Sequence, residues 1–296
     1  MKSFEEQITR FFRYVNQPVV ERIGAGRNKP MSSDLTMEQI LARGSRLMYI
    51  AAHPDDETFA SPILSFSSLI FKNPLFLLVL TRGEGGECSL PDRSPKSLAE
   101  IRADEMRQVA NLYGAVLRQE SFFNASLPMA SFPMRHEIAT RWTAQGNPVR
   151  VVAESIRSFK PDIVVTFAPI FGYTGHPEHQ LAARFVLSGI REAASPLGNY
   201  PWPPHRVSHT YYLLNKYWFM KIWGRGYDHF PWTEIWDLHC RSVQGKSISD
   251  IMIEHALIHR SQRHDMQVLK KLAVVMRNIY LYREDPLREE WDPFEP

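Results

Sequence analysis

The sequence predicts an α/β fold in which helices flank a mostly parallel β-sheet. Two apolar runs, residues 47–52 and 162–168, are each followed by a His-Pro turn, the first at His53 and the second at His176. After the first turn, strand-like and helix-like segments alternate, which is typical of a doubly wound parallel sheet. Because loops at the carboxyl ends of parallel strands share one edge of the sheet, we expect the two turns to meet there.

The segment between the two turns supplies a second strand and a long helix. Residues 74–81 form the predicted strand, and Ser97 and Glu100 predict a capping box at the start of a helix that ends at Gly114. The glycine-rich loop at residues 83–87 lacks the third glycine of a dinucleotide-binding fingerprint, because Cys88 stands at that position. We interpret this loop as a flexible rim that carries carboxylates.

The two ends of the chain are harder to assign from sequence. We divide the chain into a helical extension and linker, residues 1–45, and a single main domain, residues 46–296. In the extension, apolar residues recur at helical spacing from Phe4 to Val19, which favours a helix packed on the main domain or on another subunit over a membrane-surface helix. Gly24 to Thr36 is predicted to be a linker. No secretory signal and no apolar run long enough to span a bilayer are recognisable.

The carboxyl-terminal third contains an aromatic-rich segment and a long helical pattern. Residues 200–236 are crowded with Trp and Tyr, which favours a core or subunit interface over a sugar-binding face, and residues 209–215 predict another strand. Residues 249–282 are predicted to be helical, with His255 and His259 four apart on one face. No metalloprotease glutamate pattern accompanies them, so we do not expect a second metal site there.

Composition is that of an ordinary globular protein. The 296 residues are 44% hydrophobic and 23% charged, with a formal net charge of +3. Basic residues are scattered rather than interleaved with aromatics, which argues against a nucleic-acid partner. The two cysteines, Cys88 and Cys240, form no disulfide or zinc-binding pattern and suit a reducing compartment, so we expect a cytoplasmic location. A homo-oligomer is compatible with this composition.

The His-Pro turns carry the residue types of a catalytic metal site. Proline suits the first position of a helix, so we expect His53 to cap a helix and Asp56 to lie in its first turn, facing the same point. The second turn adds His179. Two imidazoles and one carboxylate would hold a Zn²⁺ ion with a fourth position open for water, and Asp55 is left beside them as a possible base.

The helix after the second strand carries two charged residues within its apolar stripe. Arg102 and Glu105 fall among Leu98, Ile101 and Val109 rather than on the opposite face. Buried charges need partners. A structural ion pair and contact of Arg102 with a polar substrate, such as a sugar or a phosphate, are both compatible with this pattern.

Taken together, these motifs resemble one family. Residues 52–57, Ala-His-Pro-Asp-Asp-Glu, and 176–179, His-Pro-Glu-His, resemble the hallmark turns of the PIG-L/LmbE-type zinc-dependent de-N-acetylases. Weaker similarities are residues 81–84, the Arg102 and Glu105 pair, and residues 259–262. The resemblance covers roughly residues 46–265 and implies a Rossmann-like fold of the LmbE type with its active site at the carboxyl ends of the strands.

The resemblance also implies a role for each matching residue. His53, Asp56 and His179 would bind one Zn²⁺ ion per chain, Asp55 would be the general base, and His176 would stabilise the oxyanion or protonate the leaving amine. Arg102 and Glu84 would contact the substrate. The implied reaction removes an N-acetyl or other N-acyl group from an amino sugar or N-acetylglucosaminyl conjugate, releasing acetate and a free amine. Two alternatives remain: a metal-dependent hydrolase acting on another bond, and a non-catalytic sugar-binding protein.

Overall fold

The computed structural model describes residues 35–90, 96–128, 131–216, 231–238, 242–243, 245–273, 278–284 and 292–294. Its centre is a seven-stranded sheet in the order β3-β2-β1-β4-β5-β9-β6. These strands are β1 Leu47–Ala51, β2 Leu75–Thr81, β3 Val116–Phe122, β4 Ile163–Phe167, β5 His209–Leu214, β6 Glu234–Asp237 and β9 Asn278–Glu284, while β7 Ser242–Val243 and β8 Lys246–Ser247 form a separate hairpin.

Helices connect and cover these strands. The α-helices are α1 Met37–Leu41, α2 Ser61–Leu64, α3 Leu98–Tyr113, α4 Arg135–Gln145, α5 Pro148–Phe159, α6 Gly172–Gly175, α7 Pro177–Ala194, α8 Ile248–Ala256 and α9 Arg263–Ala273. Short 3-10 helices span Asp56–Ala60 and Arg260–Gln262, and a π-helix spans Ser65–Ile70.

The predicted α/β fold with a mostly parallel sheet is confirmed. Strands β1 to β5 pair in parallel, with Leu47 opposite both Leu75 and Ile163. Every residue of β1, β2 and β4 is buried, as expected for strands covered by helices on both faces. The antiparallel exceptions are β9 against β5 and β6.

The order of the strands reverses direction beside β1. The chain adds β2 and then β3 on one side of β1, and it returns to add β4 and then β5 on the other side. In open sheets of this kind, a crevice forms at the carboxyl ends of the strands where the order reverses. Here β1 and β4 are the neighbours at that point, and they are the two strands that precede the His-Pro turns.

Helix α3 has the ends that the sequence predicts. Ser97 and Glu100 form the capping box, and Gly114 ends the helix with a left-handed φ of 60°. Arg102 and Glu105 are both buried, as their position within the apolar stripe indicates.

The prediction of one helical stretch over residues 249–282 is wrong in its last part. Helices α8 and α9 occupy its first two thirds, but residues 278–284 form strand β9. Ile279 and Leu281 are buried in the sheet, and the run Ile-Tyr-Leu-Tyr is rich in β-branched and aromatic residues that favour strands. Pairing with β5 and β6 therefore determines the conformation of residues 278–284, although the segment before them has the apolar spacing of a helix.

Part of the predicted extension packs into the main core. Helix α1 buries Met37, Ile40 and Leu41, and both Glu234 carboxylate oxygens, from β6, accept the Met37 backbone N–H at 3.0 and 2.9 Å. The predicted helix from Phe4 to Val19, and most of the predicted linker, lie outside the described residues. The division at residues 45 and 46 stays a prediction.

The predicted strand in the aromatic-rich segment is β5, which buries Tyr211 and Tyr212. Trp236 is also buried, whereas much of the segment between β5 and β6 lies outside the described residues. None of the helices in the described part of the chain has the length and apolar character to cross a membrane.

Candidate active site

The first His-Pro turn follows β1 and is not the regular helix start that the sequence predicts. Asp55 has φ 99° and ψ −23°, and a 3-10 helix begins only at Asp56. Asp56 Oδ2 accepts the backbone N–H groups of Ala52 and His53 at 3.1 and 2.9 Å. This carboxylate therefore bonds backward to the end of the strand, and His53 lies in a tight turn rather than at a helix cap.

The second His-Pro turn follows β4 and begins α7 as predicted. His176 is the N-cap, its Nδ1 accepts the Glu178 backbone N–H at 3.2 Å, and Pro177 is the first helical residue. The first turn of α7 then directs His179 toward the end of β1.

Three predicted ligands converge between the two turns. His53 Nδ1 lies 3.0 Å from His179 Nε2, and His179 Nε2 lies 2.9 Å from Asp56 Oδ1. The distance from His53 Nδ1 to Asp56 Oδ2 is 3.7 Å. In a tetrahedral zinc site with bonds of about 2.0–2.2 Å, ligand atoms lie about 3.3–3.6 Å apart. The observed separations of 2.9 to 3.7 Å lie on both sides of this range, so small movements of the three side chains would let them hold one ion of this size.

The ring nitrogens of the two predicted histidine ligands that point away from the site each contact another protein group. His179 Nδ1 donates to the Gly172 carbonyl at 2.8 Å, and His53 Nε2 contacts the buried Glu178 carboxylate. With protons on these outward nitrogens, His53 Nδ1 and His179 Nε2 keep free electron pairs for a metal. A carboxylate or carbonyl behind a ligating imidazole is the usual support of protein metal sites, and the donor set present here fits Zn²⁺.

Glu178 is a functional residue that sequence reasoning missed. Its second oxygen accepts the Ala125 N–H at 2.7 Å, and Asn124 Nδ2 donates to the oxygen that contacts His53, also at 2.7 Å. Asn124 in turn accepts the Gly85 N–H at 2.7 Å, which connects this network to the glycine-rich loop. An available signal was the acidic residue between His176 and His179, within the family-like His-Pro-Glu-His turn.

Burial changes the proton affinity of Asp55 and His176. Burial raises the pKa of Asp55 to about 7, against the lowering effect of the Arg102 guanidinium. Burial, with the neighbouring His179 and His53, holds the pKa of His176 well below its usual range. The His176 ring centroid lies 4.9 Å from those of both His53 and His179. Since Nδ1 of His176 accepts a hydrogen bond, a neutral His176 ring carries its proton on Nε2.

Arg102 and Glu105 do not form the ion pair that was one interpretation of their positions. Glu105 instead accepts the Ser261 backbone N–H at 2.8 Å and the Ser261 hydroxyl at 2.7 Å. Among the described residues, Arg102 has no hydrogen bond or ion pair, and its Nε is buried without a partner. The interpretation as an ion pair is wrong because the carboxylate is taken by the carboxyl-terminal segment.

The glycine-rich loop covers the Arg102 guanidinium. A Cβ atom at Gly83, where φ is 68°, would lie 2.1 Å from Arg102 Nη1, and one at Gly86 would lie 2.5 Å from Nη2. A side chain at either position would have to displace the guanidinium, and the left-handed φ of Gly83 independently favours glycine there. Glu84 lies on the same loop with its side chain exposed, so the structure places it on the outer surface of the rim.

A second cluster of side chains that could ligate a metal surrounds Glu57, two residues after Asp55. Glu57, His255 and His259 are all buried, and both imidazole Nε2 atoms contact Glu57 Oε1. Burial would raise the pKa of the Glu57 carboxyl, but His259 and His255 outweigh it and hold that pKa well below its usual range. Sequence reasoning noted the spacing of the two histidines and did not identify Glu57 as their partner.

Comparison with known proteins identifies similar sequences. Residues 48–190 match the sequence model of PIG-L, described as GlcNAc-PI de-N-acetylase. A 1D-myo-inositol 2-acetamido-2-deoxy-alpha-D-glucopyranoside deacetylase from Segniliparus rotundus is 30% identical over 183 residues, covering 56% of this chain and 57% of the relative. A relative from Tsukamurella paurometabola with the same name is 32% identical over 174 residues, covering 52% and 57%. The chain thus spans little more than half the length of these relatives.

The fold is shared with a solved structure of low sequence identity. The N,N'-diacetylchitobiose deacetylase of Pyrococcus horikoshii superposes with a TM-score of 0.61 at 16% identity, covering 97% of this chain and 95% of that one. At this identity the likeness shows the LmbE-like fold alone. The match over residues 48–190 confirms the resemblance to the PIG-L family that is seen in the sequence.

Proposed function

We propose that this protein is a zinc-dependent deacetylase that hydrolyses the N-acetyl group of an amino-sugar conjugate, releasing acetate and a free amine. The observation that carries the proposal is the convergence of His53 Nδ1, His179 Nε2 and Asp56 Oδ1 beside Asp55, the next residue in sequence to Asp56 and only partly exposed. A Zn²⁺ ion bound by these three atoms would polarise the acetyl carbonyl and lower the pKa of the attacking water.

Asp55 is the proposed general base. It lies next in sequence to the ligand Asp56, and burial gives its carboxyl a raised proton affinity. A base is most effective when its pKa lies near the working pH, because it must be ionised and still accept a proton in the transition state. In this mechanism Asp55 takes the proton of the attacking water and can later give it to the leaving amine.

His176 is the proposed donor to the developing oxyanion. Its Nδ1 is occupied by the Glu178 N–H, so Nε2 carries the proton. The lowered pKa of His176 argues against the protonated imidazole considered from sequence and favours a neutral donor. A preorganised donor of this kind contributes about 3–4 kcal/mol to stabilisation of the transition state.

The substrate class follows from the relatives and from Arg102. The Segniliparus relative is named as a deacetylase of an acetamido-sugar inositol glycoside, and the Pyrococcus neighbour as a deacetylase of N,N'-diacetylchitobiose. In this chain the guanidinium of Arg102 is buried without a hydrogen bond among the described residues, close enough to Asp55 to lower its pKa. We infer that Arg102 binds a polar group of the substrate, such as a sugar hydroxyl or a phosphate, and that Glu84 contributes at the rim.

A non-catalytic sugar-binding role does not account for Asp55. Binding a metal or a sugar does not require a carboxyl held in a left-handed backbone conformation, which is unfavourable for residues other than glycine. We retain the predictions of a cytoplasmic location and a possible homo-oligomer alongside the proposed activity.

The test is release of free amine from a panel of N-acetylglucosamine conjugates. Chelated protein is assayed with and without one equivalent of Zn²⁺, beside an Asp56→Ala variant that lacks one ligand. We expect release only from the zinc-restored wild type. Stoichiometric zinc binding without release would direct the search to other acyl amides, and failure of the wild type to bind zinc would refute the mechanism.

A further inference from the structure

We propose that Glu57 is a positioning residue for the Asp55 base, and that His255 and His259, from the far end of the chain, hold Glu57 in place. This inference rests on the proposed function, in which Asp55 accepts the proton of the attacking water. It assigns a part in the active site to a segment that lies beyond the family match at residues 48–190.

The first step concerns the backbone of Asp55. Its φ of 99° lies in the left-handed region, which residues with a Cβ rarely adopt. The Asp55 backbone N–H donates to Glu57 Oε2 at 3.0 Å, and the Asp55 carbonyl accepts the Thr58 N–H at 3.0 Å. The side chain of Glu57 therefore returns to the turn that precedes it and fixes the peptide group from which the Asp55 carboxyl projects.

The second step concerns what holds Glu57. Its other oxygen, Oε1, is 3.0 Å from His255 Nε2 and 2.5 Å from His259 Nε2. The Tyr113 hydroxyl donates to His255 Nδ1 at 2.9 Å, which leaves the proton of that ring on the nitrogen facing Glu57. All three members of the Glu57 cluster are at most 1% exposed. A carboxylate with donors on both oxygens has one orientation, which it imposes on Asp55.

The same carboxyl-terminal segment contacts the rim of the site. Ser261 donates to Glu105, and its carbonyl accepts the Ser89 N–H at 2.7 Å. Gln262 Nε2 donates to the Glu87 carbonyl at 2.5 Å. Residues 259–262 therefore connect α3, the glycine-rich loop and the Glu57 cluster through hydrogen bonds.

A metal ion in the Glu57 cluster is the competing explanation, because two histidines and a glutamate are a known zinc donor set. The contacts favour hydrogen bonds. Both nitrogens approach a single oxygen, and the distance of 2.5 Å from His259 is well below the separation of about 3.3 Å between two ligands of one zinc ion. Metal stoichiometry separates the two explanations.

The test uses Glu57→Gln and His259→Phe. In Glu57→Gln, one orientation of the amide places N–H groups against the Asp55 N–H, and the other places them against the two histidines, so either orientation breaks one side of the cluster. His259→Phe keeps a ring and removes one donor. The control is Glu254→Gln, which makes the same chemical change on α8 at an exposed carboxylate paired with Lys246.

We expect kcat to fall about 10- to 100-fold in both variants, because small displacements of a catalytic group cost rate on this scale. KM should stay within about twofold, since Glu57 does not face the substrate, and zinc should remain at one ion per chain. Crystal structures should show the Asp55 carboxyl displaced and φ altered. Glu254→Gln should match the wild type in each measurement.

Two results would overturn the proposal. One is a kcat near the wild-type value in either folded variant, and the other is a second zinc ion in the wild type that is lost in His259→Phe. If Glu57→Gln does not fold, His259→Phe decides alone. If the wild type hydrolyses no amide tested, the proposed function fails, and the position of Asp55 in the variant crystal structures still decides whether Glu57 positions it.

Discussion

The two His-Pro turns begin with the same residue pair and follow neighbouring parallel strands, but different forces hold them. The turn at His176 is a regular N-cap, with the imidazole bonded to a backbone N–H two residues on. The turn at His53 is irregular and contains Asp55 in a left-handed conformation. The second turn is therefore determined by local helix-capping rules, and the first depends on partners distant in sequence.

Those distant partners explain how the irregular turn persists. Glu178, 125 residues along the chain, contacts the His53 ring, and His255 and His259, about 200 residues along, contact Glu57. A left-handed residue with a Cβ costs about 1–3 kcal/mol and persists only where its surroundings fix it. The comparison teaches that the regular turn brings His176 and His179 into the site at low cost, whereas the irregular turn brings in His53, Asp55 and Asp56 at the cost of an unfavourable backbone conformation.

The largest expected effect is at the irregular turn, in Asp55→Asn. Asparagine tolerates the left-handed region, so the backbone of the turn should survive. Loss of the base should lower kcat by about 10²- to 10⁴-fold. Zinc content, measured on the same protein by elemental analysis, should stay at one per chain. Loss of zinc in this variant would instead make Asp55 a ligand.

His176→Asn tests the regular turn without unfolding it. Asparagine is a good N-cap residue, so α7 should keep its start while the imidazole donor is lost. We expect kcat to fall about 10²- to 10³-fold, the effect of removing one oxyanion donor. Unchanged zinc affinity would show that the metal site remains intact. A kcat near that of the wild type would remove His176 from the mechanism.

Glu178→Gln tests the contact that joins the two turns, between Glu178 and the His53 ring. An amide cannot accept from His53, Asn124 and the Ala125 N–H together, so the His53 ring loses its fixed orientation. Loss of such a support lowers metal affinity by about 10- to 100-fold. Competition with a chelator of known affinity measures the change. Glu192→Gln, on the same helix with Tyr200 as its partner, is the matched control and should leave zinc affinity unaltered.

The parts of the site that follow from sequence are those set by local pattern and strand order. Buried apolar runs place β1 and β4, parallel pairing brings their ends together, and the capping preferences of His176 and Pro177 predict the start of α7. The predicted cap at His53 is wrong because Asp56 bonds back to the strand instead of extending a helix. Contacts such as that of Glu57 with His259 join residues about 200 positions apart, and no local rule specifies them.

The smallest expected effect is a difference in the free energy of unfolding, which reports whether the histidine of each turn caps a helix. Because His176 caps α7, His176→Ala should be less stable than His176→Asn by about 1 kcal/mol in the free energy of unfolding. At position 53 the side chain caps no helix, so the advantage of asparagine over alanine that comes from capping should be missing, and the difference between His53→Ala and His53→Asn should be smaller. Urea denaturation of the four chelated variants measures both differences. Equal differences at the two positions would mean that His53 caps its turn as His176 does, and that the contrast between the turns arises only from the residues that follow them.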